Sequence, residues 1–253
     1  MWKSLVIAGA VVLGTAQAGA VELNLLIGGA MSEPFEVVAK AYEKKTGHHL
    51  SITVDNSGAL QRRLRAGEKA DIILVAAQAM DALQKENRIA PGTRVDLGRA
   101  LMAVAVRADA PPMDLATGAA FRQALLDAKS VALTDPAGGG TAGVYMEAIM
   151  ERFDITEAMR PKIIYRTQGR FITEAVANGE ADLGVTFTSE ILTNKGAKIA
   201  GLLPDDVQVP TNYAAAIPVG AASPEVAKAF LQEFKTPFAH EAIRKVGLER
   251  LAK

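Results

Sequence analysis

Three stretches of the chain share one pattern: a short apolar strand, a turn of small residues, and then the start of a helix. They span residues 23–35, 51–60 and 130–143. Turns of glycine, alanine and serine leave backbone N–H groups uncovered at the helix start, where the helix dipole adds a partial positive charge. Such helix starts bind anions without needing lysine or arginine. If several of them converge, they form a cradle for a small anion.

The composition argues against several other kinds of site. Lysine plus arginine and aspartate plus glutamate balance at 28 each, so no strong field favours nucleic acid or a membrane surface. There is no cysteine, which excludes disulfides, thiol chemistry and thiolate metal sites. The three histidines have no carboxylate partners at metal-ligand spacing. We therefore expect no metal, no cofactor and no nucleic-acid partner.

The N-terminus has the features of an export signal. Lys3 precedes an apolar run over residues 5–13, and two small-x-small sequences follow, ending at Ala18 and Ala20. The apolar run is too short to span a bilayer. Residues 1–20 are therefore predicted to be a signal peptide cleaved near Ala18 or Ala20, which places the mature protein in the periplasm.

The rest of the chain alternates strand-like with helix-like segments, a succession typical of βαβ units in an α/β fold. Strands are predicted at 23–27, 50–54, 72–76, 101–106, 131–134, 163–166, 183–187 and 214–219. Helices are predicted between them, including 57–66, 121–128, 142–153 and 171–178.

Two segments resemble each other. Residues 65–71 (RAGEKAD) precede the predicted strand IILVA, and residues 177–182 (ANGEAD) precede LGVTF. Both stand where a helix gives way to a strand. Coincidence is one explanation, because these dipeptides are common in loops; two lobes of similar construction are the other. Ligands of such proteins lie in the crevice at the carboxyl ends of strands, where the lobes meet.

Taken together, the motifs resemble those of the periplasmic molybdate-binding proteins of ABC importers. The pattern is GAMS near the mature N-terminus, then SGALQRRLxAGxxADI, then DPxxxxxAGxY, with LGVTF and the C-terminal Val246-Gly247 further on. The resemblance implies a two-lobed, type II solute-binding fold with mostly parallel sheets. Lobe 1 would comprise residues 21–98 and 212–253, lobe 2 residues 99–211, and the crossovers between them the hinge.

The resemblance also implies a ligand site and partners. The family holds its anion with hydroxyls and backbone N–H groups, and its ligand positions fall in this sequence at Ala30, Ser57, Ala142, Gly169 and Phe187. The full predicted site is Gly29, Ala30, Met31, Ser57, Gly58, Thr141, Ala142, Gly169, Arg170 and Phe187. The implied protein is a monomer that delivers its ligand to a membrane permease and its ATPase.

This sequence departs from the family at two ligand positions. Ala30 stands where a serine is usual, and Phe187 where a tyrosine is usual. Losing a donor to a buried anion costs about 1.5–3 kcal/mol. Arg170 follows Gly169 and offers a planar fork suited to a carboxylate. These departures favour a small organic di- or tricarboxylate, with molybdate or tungstate left open.

The sequence also contains signals that are compatible with other functions. Residues 138–143 satisfy G-x-G-x-x-G, but the acidic residue that a dinucleotide fold needs about 20 residues later is missing. An enzyme acting on a small anion would need an acid or base near the turns, and we expect Glu33 and Asp55 to be the only carboxylates close to them. The sequence therefore favours a binding protein over an enzyme. A sensory module that passes closure to a membrane receptor is the third hypothesis.

Overall fold

The computed structural model of the protein describes residues 19–251, so residues 1–18 of the predicted signal peptide lie outside the described residues. Within residues 19–251, no helix combines the length and the apolar character needed to cross a membrane. The chain forms two five-stranded sheets with helices packed against them. This two-sheet α/β architecture confirms the predicted fold class.

The first sheet has the strand order β2-β1-β3-β10-β4. Strands β1 to β4 run in one direction and β10 runs against them. We call this sheet, with helices α1–α3, α9 and α10, the first lobe. Its strands are β1 (Glu22–Gly28), β2 (His49–Asp55), β3 (Ile72–Ala76), β4 (Val95–Ala100) and β10 (Thr211–Ala216). Its helices are α1 (Ser32–Thr46), α2 (Ser57–Arg65), α3 (Ala77–Lys85), α9 (Pro224–Glu233) and α10 (Pro237–Lys245).

The second sheet has the strand order β7-β6-β8-β5-β9, in which β5 runs against the other four. We call this sheet, with helices α4–α8, the second lobe. Its strands are β5 (Met102–Arg107), β6 (Val131–Thr134), β7 (Ile163–Arg166), β8 (Leu183–Phe187) and β9 (Ala197–Leu202). Its helices are α4 (Gly118–Asp127), α5 (Thr141–Arg152), α6 (Thr156–Met159), α7 (Gly169–Ala177) and α8 (Thr188–Leu192).

The two lobes repeat one plan. Replacing β1, β2, β3, β10 and β4 by β6, β7, β8, β5 and β9 converts the first strand order into the second. The similar segments found in the sequence occupy equivalent places. The buried Asp71 carboxylate accepts the Asn24 amide at 2.9 Å, and the Asp182 carboxylate accepts the Lys129 amide at 2.8 Å. In each lobe, the aspartate that precedes one parallel strand accepts a hydrogen bond from the backbone near the start of the neighbouring strand. The sequence similarity of the two segments therefore reflects a shared structural role.

The chain crosses between the sheets twice, at Leu101 between β4 and β5, and again after Leu202 on the way to β10. The resemblance implies hinge crossovers near residues 97–107 and 209–218, and a hinge role for these two crossings stays a prediction. The division of the chain at residues 98/99 and 211/212 stays a prediction. It agrees with the strand membership, because the second sheet takes only strands that lie between these two crossings.

Most predicted elements are present, and the errors have physical reasons. The strand predicted at 214–219 is β10, which ends at Ala216 shortly before Pro218. Strands β4 and β9 were not predicted. Both lie at the edge of a sheet and carry polar or glycine residues, as VDLGRA and AKIAGL, which hides the alternation of a half-buried strand.

An aromatic cluster joins the N-terminal and C-terminal parts of the first lobe. Phe35 of α1 is fully buried, and its ring stacks on that of Phe234 with centroids 4.6 Å apart. The ring of Phe230 meets Phe35 edge-on at 5.3 Å. This packing attaches the segment that follows β10 to the helix that follows β1. Because both segments support the same sheet, the cluster is expected to contribute strongly to the stability of the lobe.

We predict that Phe35→Ala lowers the free energy of unfolding by about 3–5 kcal/mol, since it removes a buried ring and leaves a cavity. Phe238→Ala is the control: that side chain is 53% exposed, and the change should stay within about 0.5 kcal/mol. Urea denaturation of both variants measures the difference. A loss below about 1 kcal/mol for Phe35→Ala would show that the cluster does not join these segments.

Candidate functional site

The helix starts of both lobes converge on one cleft. Its empty space, including the opening to solvent, is about 330 Å³. The first lobe contributes the turn after β1, the start of α2 and one residue of β10, while the second contributes the starts of α5 and α7 and the end of β8. The lining residues are Gly29, Ala30, Asp55, Asn56, Ser57, Thr134, Gly140, Thr141, Ala142, Gln168, Gly169, Thr186, Phe187, Glu190 and Tyr213.

The start of α2 is positioned by two polar side chains. Asn56 caps the helix, because its Oδ1 accepts the Ala59 amide at 2.8 Å. The buried Ser57 hydroxyl accepts the Ala76 amide at 3.1 Å, which fixes α2 against the end of β3. A hydroxyl that accepts one hydrogen bond still has its own proton to donate. Ser57 can therefore serve both the fold and a ligand.

The glycine-rich run before α5 allows the helix to approach the sheet closely. The Thr134 hydroxyl accepts the Gly143 amide at 2.7 Å. A side chain at Gly143 would overlap the backbone carbonyl of Thr134, and one at Gly140 would meet the Thr134 side chain. The G-x-G-x-x-G pattern is thus explained by packing of α5 on β6, and the helix start is brought to the cleft.

Seven of the ten predicted site residues line the cleft; they are Gly29, Ala30, Ser57, Thr141, Ala142, Gly169 and Phe187. Of the others, Met31 is fully buried beneath the turn, and Gly58 packs against Gly139 of the opposite lobe. Arg170 is exposed, with its guanidinium 4.6 Å from the centre of the Phe171 ring. Their roles in ligand binding stay predictions.

The expectation that only Glu33 and Asp55 lie near these turns is wrong, because Asp135 lies in the third turn and the cleft also contains Glu190. This carboxylate lies three residues beyond the end of β8 and is 9% exposed. It accepts the Thr186 hydroxyl at 2.5 Å, and this bond and the nearby backbone amides of Phe187 and Gly169 lower its pKa. Burial nevertheless raises the pKa of Glu190 above its ordinary value. The sequence signal was available: Thr188 to Glu190 form the first turn of a helix directly after a buried strand.

Tyr213 is the second residue that the sequence reasoning missed. It lies on β10 in the first lobe, is 2% exposed, and its ring meets that of Phe187 edge-on with centroids 5.9 Å apart. Burial, followed by the charge of Glu190, raises the pKa of the Tyr213 phenol well above its ordinary value. The phenol therefore stays protonated and remains a hydrogen-bond donor. It supplies from the opposite lobe a hydroxyl of the kind that Phe187 lacks.

The charges of the cleft are unusual for an anion site. Its lining contains two carboxylates, Asp55 and Glu190, and no lysine, arginine or histidine. Positive potential comes instead from helix starts and neutral donors. Elsewhere in the described part of the chain, no group of three or more histidine or carboxylate side chains is arranged to hold a metal ion.

The lobes are in contact across the mouth of the cleft. The Gly58 amide donates to the Gly139 carbonyl at 3.2 Å, and Arg62 donates to the Gly138 carbonyl at 2.8 Å. Three further hydrogen bonds cross the gap: Asn56 Nδ2 to the Thr167 carbonyl at 3.1 Å, Gln168 Nε2 to the Val54 carbonyl at 3.2 Å, and Ser189 Oγ to the Ala30 carbonyl at 2.7 Å. The structure is therefore that of closed lobes.

Comparisons with known proteins agree with this architecture. The model of a family described as bacterial extracellular solute-binding protein matches residues 23–249. A protein of a Pseudomonas species named aconitate isomerase is 36% identical, covering 90% of this chain and 87% of its own length. The molybdate-binding protein ModA of Escherichia coli (strain K12) is 26% identical, covering 93% of this chain and 92% of its own.

A solved structure shows the same fold. The periplasmic molybdate-binding protein of Azotobacter vinelandii superposes with a TM-score of 0.75 at 20% identity, covering 91% of this chain and all of that one. The chain belongs to the bacterial extracellular solute-binding protein family. The resemblance to molybdate-binding proteins that the motifs indicated is thereby confirmed.

We predict that Gly58→Ala opens the lobes. A methyl group at this position would come within 2.6 Å of the Gly139 Cα, too close for the present contact, so the two backbones must separate. The chain has no cysteine, so Lys85→Cys and Tyr165→Cys, one in each lobe, allow clean spin labelling. Electron–electron double resonance should show a longer mean distance between the labels in Gly58→Ala.

Two controls accompany this measurement. Arg62→Ala deletes one contact across the gap without adding bulk, and it should lengthen the distance less. Thermal unfolding should be no lower in Gly58→Ala, because alanine favours the helix. An unchanged distance distribution would mean that the Gly58–Gly139 contact does not limit closure.

Proposed function

We propose that this protein is the periplasmic solute-binding component of an ABC importer and captures a small organic di- or tricarboxylate between its lobes. The observation that carries the proposal is the convergence of helix starts from both lobes on one closed cleft. A ligand held by donors on both lobes favours the closed form, because only that form provides all of its contacts. Enclosure also excludes water, which strengthens hydrogen bonds from neutral donors.

Three features of the cleft favour an organic acid over a tetrahedral oxyanion. Ala30 lacks the hydroxyl that the molybdate-binding family provides at this position, and the hydroxyl missing at Phe187 is replaced by that of Tyr213 on the opposite lobe, so the arrangement of donors differs. Glu190 adds a buried carboxylate beside the anion cradle. The Oε1 atom of Gln168 is buried without a hydrogen-bond partner in a residue that lines the cleft. Such an acceptor requires a donor, and a hydroxyl or a protonated carboxyl of the ligand provides one, whereas a fully ionised oxyanion does not.

The partners follow from the family. An extracellular solute-binding protein of an importer delivers its ligand to a membrane permease and its ATPase. We infer export to the periplasm, with cleavage near Ala18 or Ala20, and action as a monomer. The permease would recognise the closed pair of lobes, since their relative position reports that the cleft is occupied.

We predict that trans-aconitate or tricarballylate binds more tightly than molybdate. Isothermal titration calorimetry and thermal shift at equal concentrations of the three ligands measure this order. The organic acids should raise the unfolding temperature, because a ligand that binds only the folded protein stabilises it. Tungstate and sulfate are the matched controls for tetrahedral shape. Tight binding of molybdate or tungstate with no response to the organic acids would contradict the proposed ligand class.

A second candidate function is the isomerisation of a small unsaturated tricarboxylate. It is favoured by the buried Glu190 in the cleft and by the relative at 36% identity, which is named aconitate isomerase. In an allylic proton transfer, a base removes a proton from a methylene carbon, the double bond moves by one position, and the proton returns to the former alkene carbon. No oxidant or reductant is needed. A carboxylate with a raised pKa is suited to both steps.

The test of this candidate is direct. If the protein is an isomerase, trans-aconitate incubated with it in D₂O should yield the cis isomer with deuterium at carbon, both visible by proton NMR. Glu190→Gln should abolish turnover, while Glu33→Gln, the same change at an exposed carboxylate, should leave it intact. Stoichiometric binding of trans-aconitate without any product or deuterium uptake would leave only the transport role.

A further inference from the structure

We propose that Glu190 is the specificity-determining residue of the cleft: its carboxyl group lies against the donors of the anion cradle, so the site binds an anion most tightly when this group carries a proton. The inference rests on the proposed binding function and deepens it. It concerns which anions the cleft accepts and how their binding depends on pH.

The Glu190 carboxyl group lies beside donors at the start of α7 and the end of β8. The Gly169 amide at the start of α7 is one of the donors that the resemblance assigns to the ligand. In this structure the Glu190 carboxyl group lies directly against Gly169, the amides of Gly169 and Phe187 are near enough to lower its pKa, and the Thr186 hydroxyl donates to it at 2.5 Å. The start of α7 therefore already lies against a carboxyl group that belongs to the protein.

The backbone makes room for this carboxylate at two glycines. A side chain at Gly169 would overlap the carboxyl group of Glu190, and one at Gly29 would come within 2.7 Å of its Oε1. Gly29 belongs to the first lobe and Gly169 to the second. The carboxylate thus lies in the gap between the lobes, at the place where a ligand meets both.

Titratable side chains on β2, α7 and β10 surround the Glu190 carboxyl group. Asp55, at the end of β2, is the other carboxylate that lines the cleft. On α7, Arg170 acts on Glu190 with its positive charge, and on β10 the Tyr213 phenol stays neutral. Burial raises the pKa of Glu190. This effect is larger than the opposite effect of the Thr186 hydrogen bond, the Phe187 and Gly169 amides and Arg170, which lower the pKa. An ionised ligand added beside it raises the pKa further, because two buried like charges repel.

The sign of the pH dependence follows from linkage. Between the pKa of Glu190 in the empty protein and its higher pKa in the complex, binding takes up a proton. Anion affinity is therefore highest below the first of these pKa values and falls as the pH rises through the interval. A ligand carboxylate can share that proton with Glu190. Molybdate would have to bind beside an ionised Glu190 at high pH.

The experiment titrates tricarballylate and molybdate into wild-type protein, Glu190→Gln and Glu33→Gln. Calorimetry is performed between pH 5 and 8.5 in pairs of buffers that differ in ionisation enthalpy, which reports the protons taken up per ligand. On binding a ligand, the wild type and Glu33→Gln should take up as much as one proton more than Glu190→Gln does. Both should also lose affinity as the pH rises. Glu190→Gln should bind molybdate at least tenfold more tightly than the wild type at pH 8.

Gly169→Ala provides a second variant in case Glu190→Gln disturbs folding, because its methyl group displaces the carboxylate without removing it. It should also take up fewer protons than the wild type. Equal proton uptake in the wild type and Glu190→Gln, or equal molybdate affinity at pH 8, would overturn the proposal.

Failure of the proposed function gives a different result. If no organic acid binds to any of the proteins at any pH, the carboxylate ligand is refuted, but the molybdate titrations still decide the role of Glu190. Binding of molybdate by Glu190→Gln and not by the wild type would support it, and no binding by either would overturn it.

Discussion

The cleft depends on one constraint, that backbone N–H groups at the start of a helix need an acceptor. In this protein the starts of α2, α5 and α7 all point to the gap between the lobes. Their amides provide positive potential without a cation, and small residues keep them accessible. The glycines at α5 and α7 bring the backbone close to Thr134 and to Glu190. An anion, whether from a ligand or from the protein itself, is what completes such a site.

Much of the fold could be predicted from the sequence because its buried strands are continuous apolar runs. The buried strands β3, β6 and β8 occur at the predicted residues, as does the edge strand β7, and the turns after the strands contribute most of the predicted site. The strands β4 and β9 were missed because their charged and glycine residues interrupt the apolar pattern, whereas the other two edge strands, β2 and β7, keep a recognisable one. The repeat of the two lobes was visible in the sequence only at the aspartates that precede β3 and β8.

The residues that sequence reasoning missed share a different cause. Glu190 and Tyr213 do not belong to the turns that the pattern identified, and both reach the cleft because tertiary packing brings α8 and β10 beside it. A glutamate in the first turn of a helix usually caps that helix and faces solvent. Only the packing of α8 against α7 shows that this one is buried and holds the neighbouring helix start. Arg170 follows Gly169 in sequence but does not line the cleft, and its role in ligand binding stays a prediction.

The contact between Gly58 and Gly139 joins main-chain atoms alone, and it needs no guest in the cleft. Backbone-to-backbone contact of this kind stabilises the shut conformation even when the cleft is empty. The free energy separating the open and shut forms is correspondingly smaller, and less of the guest's interaction energy is consumed in moving the lobes. The residues of this contact therefore help to set how tightly a guest must bind before the shut form predominates.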